Sequence, residues 1–119
     1  MELDKAVEGI LSVRERIQKS WDSPESLSDL GNKLALYQGY LGDHLGNFKE
    51  EREVRKAHEY LKLIATSSAT HADNLSRAGV AELTGKIMKL ELLHKDTSTQ
   101  ISMLQSRLRV LADERRNQI

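Results

Sequence analysis

The chain has no cysteine and only one proline, one Trp and one Phe, with three Tyr, in 119 residues. Without cysteine there is no disulfide framework, no thiol nucleophile and no thiolate metal site, which suits a reducing compartment. So few aromatics and a single proline argue against a sandwich or barrel and favour helices. A net charge is missing too. Eighteen Lys and Arg balance eighteen Asp and Glu, so no overall field steers the chain toward nucleic acid or an anionic membrane. No apolar run approaches the roughly 20 residues of a membrane span. The start, MELDKAVEGIL, carries acids where a secretory signal needs positive charge. The expected location is the cytoplasm.

What the chain does have is 30% charged and 39% hydrophobic residues, the latter rich in leucine. An all-α fold follows. With little apolar volume for a compact sphere, long helices sharing a narrow seam are economical, and self-association is expected.

Residues 2–21 read as one amphipathic helix, because Leu3, Val7, Ile10, Ile17 and Trp21 recur at three- and four-residue spacings. Arg14 fills the slot between Ile10 and Ile17. Ser23 is a good N-cap, Pro24 suits a first helical position, and Glu25 suits the positive end of the helix dipole. A second helix is therefore predicted over about 24–66. In it Leu27, Leu30, Leu34, Tyr37, Leu41, Leu45 and Phe48 share one face, while Gly31, Ala35, Gly39, Gly42 and Gly46 lie about a third of a turn away. Val54, Ala57, Leu61 and Ile64 extend the small-residue stripe, as though the helix served two neighbours. The competing reading breaks this helix between Gly42 and Asn47, with Gly46 or Asn47 as a C-cap.

The polar stretch TSSATHADN predicts a turn at about 67–73, with Thr70 or Asp73 capping a third helix over about 74–116. There Leu83, Ile87, Leu90, Ile101, Leu104, Leu108 and Leu111 form a heptad-spaced stripe whose two middle slots are His94 and Thr97. The single domain expected is thus an N-terminal helix packed on a long, coiled-coil-like antiparallel hairpin, roughly 60 Å long at about 1.5 Å per residue. Folding about residue 69 sets positions 39–46 opposite 92–99. An interior helical Gly costs about 0.8–1 kcal/mol relative to Ala, so Gly39, Gly42 and Gly46 are expected at a close helix–helix approach. Five acid-to-base pairs four residues apart mark solvated faces: Glu15–Lys19, Asp29–Lys33, Glu51–Arg55, Glu82–Lys86 and Glu91–Lys95.

Chemistry-bearing motifs are sparse. His44 and His94, with Asp43 and Asp96 nearby, could hold a metal or exchange protons. No HExxH or clustered-carboxylate signature accompanies them, so no metal or cofactor is expected. His58 and His71 read as surface and turn residues. No nucleophile elbow, GxGxxG or Walker loop occurs, and an enzyme is not expected. EEREVRK, residues 50–56, reads as a solvated face. Arg107, Arg109, Arg115 and Arg116, with Lys86, Lys89 and Lys95, could track phosphates. Asp113, Glu114 and Glu91 dilute that field, and no aromatics interleave to stack on bases.

From about Leu27 onward, SDLGNKLALYQGYLGDHLGNFKEEREVRKAHEYLKLIATSS followed by AELTGKIMKLELLHKDTSTQISMLQSRLRVLADERRN resembles small helical proteins of tailed bacteriophages and prophages. The resemblance is one of layout: a leucine-rich first arm with spaced small residues, a charged middle, and a final arm ending near LQSRLRVLADERR. It implies a small accessory factor in a bacterial host cytoplasm and assigns no functional residue. The expected function is a non-enzymatic interaction module, homo-oligomeric and protein-binding, with Leu104, Leu108 and Leu111 or the leucine stripe of the second helix completing a seam. The alternative is an accessory nucleic-acid-binding factor in phage recombination or replication.

Overall fold

The computed structural model describes residues 1–117 and is all-helical, with α1 (Leu3–Lys19), α2 (Pro24–Ile64), α3 (Ala69–Gly79) and α4 (Ala81–Asn117). Ser23 and Pro24 open α2 as their chemistry predicts: the Ser23 carbonyl accepts from Leu27 N at 2.9 Å and its hydroxyl from Ser26 N at 3.4 Å. Helix α2 then runs unbroken through Gly42–Asn47.

The C-terminal half departs from the predicted turn at 67–73 and single helix over 74–116. Ser68, and not Thr70 or Asp73, is the cap: its hydroxyl accepts from His71 N at 3.2 Å, so α3 begins inside the predicted turn. Helix α3 ends at Gly79. There Val80 leaves helical geometry (φ −114°, ψ 13°) and its N–H bonds back to the Arg77 carbonyl at 3.2 Å. The Val80 carbonyl accepts from Thr84 N at 2.9 Å and starts α4. Burial of the Val80 side chain pins this corner. The heptad stripe survives because all of it lies beyond the break.

The packing resolves into two compact units, one of residues 1–42 with 93–119 and one of residues 43–92. In the first, the buried apolar set comprises Ala6, Ile10, Val13 and Ile17 of α1, Leu27, Leu30, Leu34 and Leu41 of α2, and Leu104 and Leu111 of α4. Each fully buried leucine contributes roughly 1.5–3 kcal/mol of transfer free energy. Helices α2 and α4 are antiparallel here: Glu25 meets Arg115, Gly31 meets Leu104, and Gln38 Nε2 donates to Ser98 Oγ and to the His94 carbonyl. Thr97 sits fully buried in the stripe, its hydroxyl donating to the Leu93 carbonyl at 2.8 Å, so no polar group is orphaned there.

Only some glycines mark close approaches. A Cβ on Gly9 would fall 2.6 Å from the Tyr37 ring, one on Gly31 would fall 3.1 Å from Leu104 Cδ2, and one on Gly42 would fall 3.5 Å from His94. Gly39 and Gly46 have nothing within 4 Å and are exposed, which corrects their assignment to a helix–helix seam. Leucines 90 and 83 are half-buried and Ile87 fully buried, whereas Ile101 and Leu108 are half-buried in the first unit.

In the second unit Leu45, Ala72, Val80 and Ile87 form the buried apolar set, and α3 packs through small residues, Ala72 and Ser76. Lys49 pairs with Glu91 at 3.2 Å, and Lys86 lies 4.4 Å from the Phe48 ring centre. These contacts between α2 and α4 replace the predicted Glu91–Lys95 and Glu82–Lys86 pairs. Asp29–Lys33 and Glu51–Arg55 form as predicted.

Candidate functional site

The second unit carries the surface that most needs a function. It buries four apolar side chains yet exposes six large ones: Val54, Leu61, Ile64, Leu75, Met88 and Leu92. A unit of this size sits below the roughly 70–80 residues at which a single core rarely supplies more than about 3–5 kcal/mol. Its core is correspondingly thin.

Four apolar positions of α2 organise that surface. Val54, Ala57, Leu61 and Ile64 repeat at three, four and three residues, the spacing of a coiled-coil seam, and all are exposed. Val54 is 61% and Leu61 68% accessible, values that place them fully on the outside. Helix α2 needs its other side for the fold: Arg52, Lys56, Tyr60 and Leu63 are the half-buried positions in this stretch. The helix therefore does have two apolar faces, as its sequence suggested, but the second faces solvent. Ala57 and Leu61 also wall a groove of about 440 Å³ whose far side includes Asp73 and Ser76.

Charged residues beside the seam are held in place. Glu53 accepts from Arg52 at 3.3 Å and pairs with Lys56 at 3.3 Å. Lys56 first, with Arg52 adding to it, holds the Glu53 carboxyl below its ordinary value. EEREVRK is thus a pre-paired surface, consistent with a solvated rim.

The predicted partner seam on α4 is an internal one. Leu104 is 2% exposed and lies against Gly31, and Leu111 is likewise buried, so these two leucines serve the chain's own core, while Leu108 between them is half-buried. The leucine stripe of α2 is buried in the same way at Leu27, Leu30, Leu34, Leu41 and Leu45.

The basic C-terminal group is largely neutralised by its neighbours. Arg107 pairs with Asp22 at 2.6 Å, Arg115 with Glu25 at 3.1 Å, and Arg116 with Asp113 at 2.7 Å. Arg109 is exposed. Three of the four C-terminal arginines among the cations expected to track phosphates thus carry an intramolecular carboxylate.

His94 is half-buried against Gly42, and His44 is half-buried on α2. Among the described residues no group of three or more His, Cys, Asp or Glu is gathered in a way that could hold a metal ion. No helix among them is long and apolar enough to cross a membrane. No family model, curated protein or solved structure matches the chain.

Proposed function

We propose that the protein is a non-enzymatic helical interaction module that assembles with a second copy of itself through the Val54–Ala57–Leu61–Ile64 face of α2. The observation that carries this reading is the imbalance of the second unit, which exposes more large apolar side chains than it buries. A face whose burial the unit needs for its own stability must be covered whenever the chain is folded. The one protein always present at matching concentration is the chain itself, and binding that requires the folded state stabilises it by mass action. A three-four-three apolar repeat is also self-complementary, because the same helix from a second copy presents knobs at the spacing of its holes. The assembled module would act through protein contacts, in the accessory role that its phage-like layout suggests.

The absence of cysteine makes the test direct. Ala57→Cys, near the middle of the face, is expected to form an interchain disulfide under mild oxidation, whereas Lys19→Cys on exposed α1 is not. Equal crosslinking of both variants, or of neither, would contradict the proposal.

A further inference from the structure

Among the described residues, Arg14 carries buried side-chain polar atoms that the fold leaves unanswered. Its Nε and Nη2 atoms are closed to solvent and have no hydrogen-bond partner in the protein. These two atoms lie on one edge of the planar guanidinium, with parallel N–H bonds, which is the edge that a carboxylate engages with both oxygens. Arg14 lines a cavity of about 630 Å³ in the first unit, between α1 and α4, together with Ile17, Trp21, Met103 and the polar Gln18 and Asp22. That volume falls within the roughly 300–1,000 Å³ typical of small-molecule sites, as does the combination of apolar walls with one oriented charged group.

We infer that this cavity binds a small organic monocarboxylate: the carboxylate is held by the Nε–Nη2 edge of Arg14, and its apolar body lies against Trp21, Ile17 and Met103. Because the Nε–Nη2 edge is closed to solvent, engaging it requires side chains of the lining to move, and Gln18 and Met103 are exposed members of that lining. A single negative charge fits better than a phosphate dianion. One guanidinium balances one charge, and the other ionised group of the lining, Asp22, is an acid already paired with Arg107. The site is independent of the self-association proposed above, since none of its residues lies on the Val54–Ile64 face.

Trp21 is the chain's one tryptophan and lines the cavity, so its fluorescence reports occupancy without a label. The probes are 4-phenylbutyrate, its uncharged analogue 4-phenylbutanol, acetate and inorganic phosphate, titrated against the wild type and Arg14→Met. The expected result is a saturable change with 4-phenylbutyrate that is weaker by about tenfold or more with the alcohol, with acetate and with phosphate, and that is lost in Arg14→Met. A wild type that responds to none of the four, or responds equally to the acid and the alcohol, overturns the site. An equal response to phosphate overturns the carboxylate assignment. Should Arg14→Met fail to fold, the Arg14 Nε–H resonance in ¹⁵N NMR of the wild type decides: it moves with 4-phenylbutyrate and not with 4-phenylbutanol if the site is real, and with neither if it is not.

Discussion

Arg107 of α4 donates from Nε to the Trp21 carbonyl at 2.9 Å, closing the corner where α1 turns into α2. The same guanidinium lies 5.4 Å from the Trp21 ring centre and reaches Asp22 through Nη2. A residue whose sequence suggests phosphate contact is therefore a clamp between the N-terminal corner and the C-terminal helix.

Replacing Arg107 with Ala is expected to lower stability by about 1–2 kcal/mol, since it removes a charged donor to a backbone carbonyl and the guanidinium lying over the Trp21 ring. Asp22→Asn should cost less than about 1 kcal/mol, because the Asp22 side chain is 90% accessible and exposed pairs contribute little. Urea unfolding of both variants checks the order. Equal losses would show that the ion pair, and not the Trp21 contact, holds the corner.

The glycines separate into two kinds. Gly39→Ala, in an exposed helix interior with open space around it, is expected to raise stability by about 0.5–1 kcal/mol. Gly9→Ala should lower it by up to about 2 kcal/mol, because the overpacking cost of a Cβ inside contact distance of the Tyr37 ring outweighs the same helix-propensity gain. Thermal unfolding distinguishes them by sign. A loss at Gly39 would mean that a neighbour covers it in solution.

Glu25 lies in the first turn of α2, and its carboxyl is held below the ordinary value of 4.5, first by a backbone hydrogen bond at its own position and then by Arg115. A depressed carboxylate contributes its stabilisation above the ordinary value and loses it as pH falls through the lower folded value. An NMR titration of the Glu25 carboxyl should find its midpoint below 4.5. Arg115→Met should raise that midpoint only part of the way, since the larger, backbone contribution remains. A full return to the ordinary value would assign the whole effect to the arginine.

The helical period carried most of the fold into view. Leu27, Leu30, Leu34, Leu41 and Leu45 recur at the helical spacing and are buried, and Pro24 opens α2 as its fixed φ requires. The break at Gly79–Val80 has one cue in the sequence, Gly79, which does not take the left-handed cap conformation; the heptad stripe begins at Leu83, beyond the break, and so says nothing about residues 74–82. Ser68 was one of several hydroxyl-bearing residues in TSSAT able to cap, and local sequence does not choose among them. A glycine stripe shows where a neighbour could approach, not whether one does, which is why Gly42 meets His94 while Gly39 and Gly46 meet nothing. Similarly, the spacing of Val54, Ala57, Leu61 and Ile64 is visible in the sequence, but their exposure depends on which side of α2 the other helices take. Arg14 stands out in an apolar stripe by sequence alone. That its Nε and Nη2 have no partner is a three-dimensional fact, as is its place in a cavity shared with Gln100, Met103 and Leu104 of α4.

The most direct test of assembly through α2 is the solution mass of the protein at tens of micromolar, by light scattering or native mass spectrometry, for the wild type, Val54→Glu with Leu61→Glu, and Leu104→Asp with Leu108→Asp. The wild type is expected at a multiple of 13.5 kDa and Val54→Glu with Leu61→Glu at a single 13.5 kDa chain whose α1 amides keep their hydrogen-exchange protection. Leu104→Asp with Leu108→Asp should instead unfold the first unit, because Leu104 is core. A wild type that stays at 13.5 kDa would contradict self-assembly through α2.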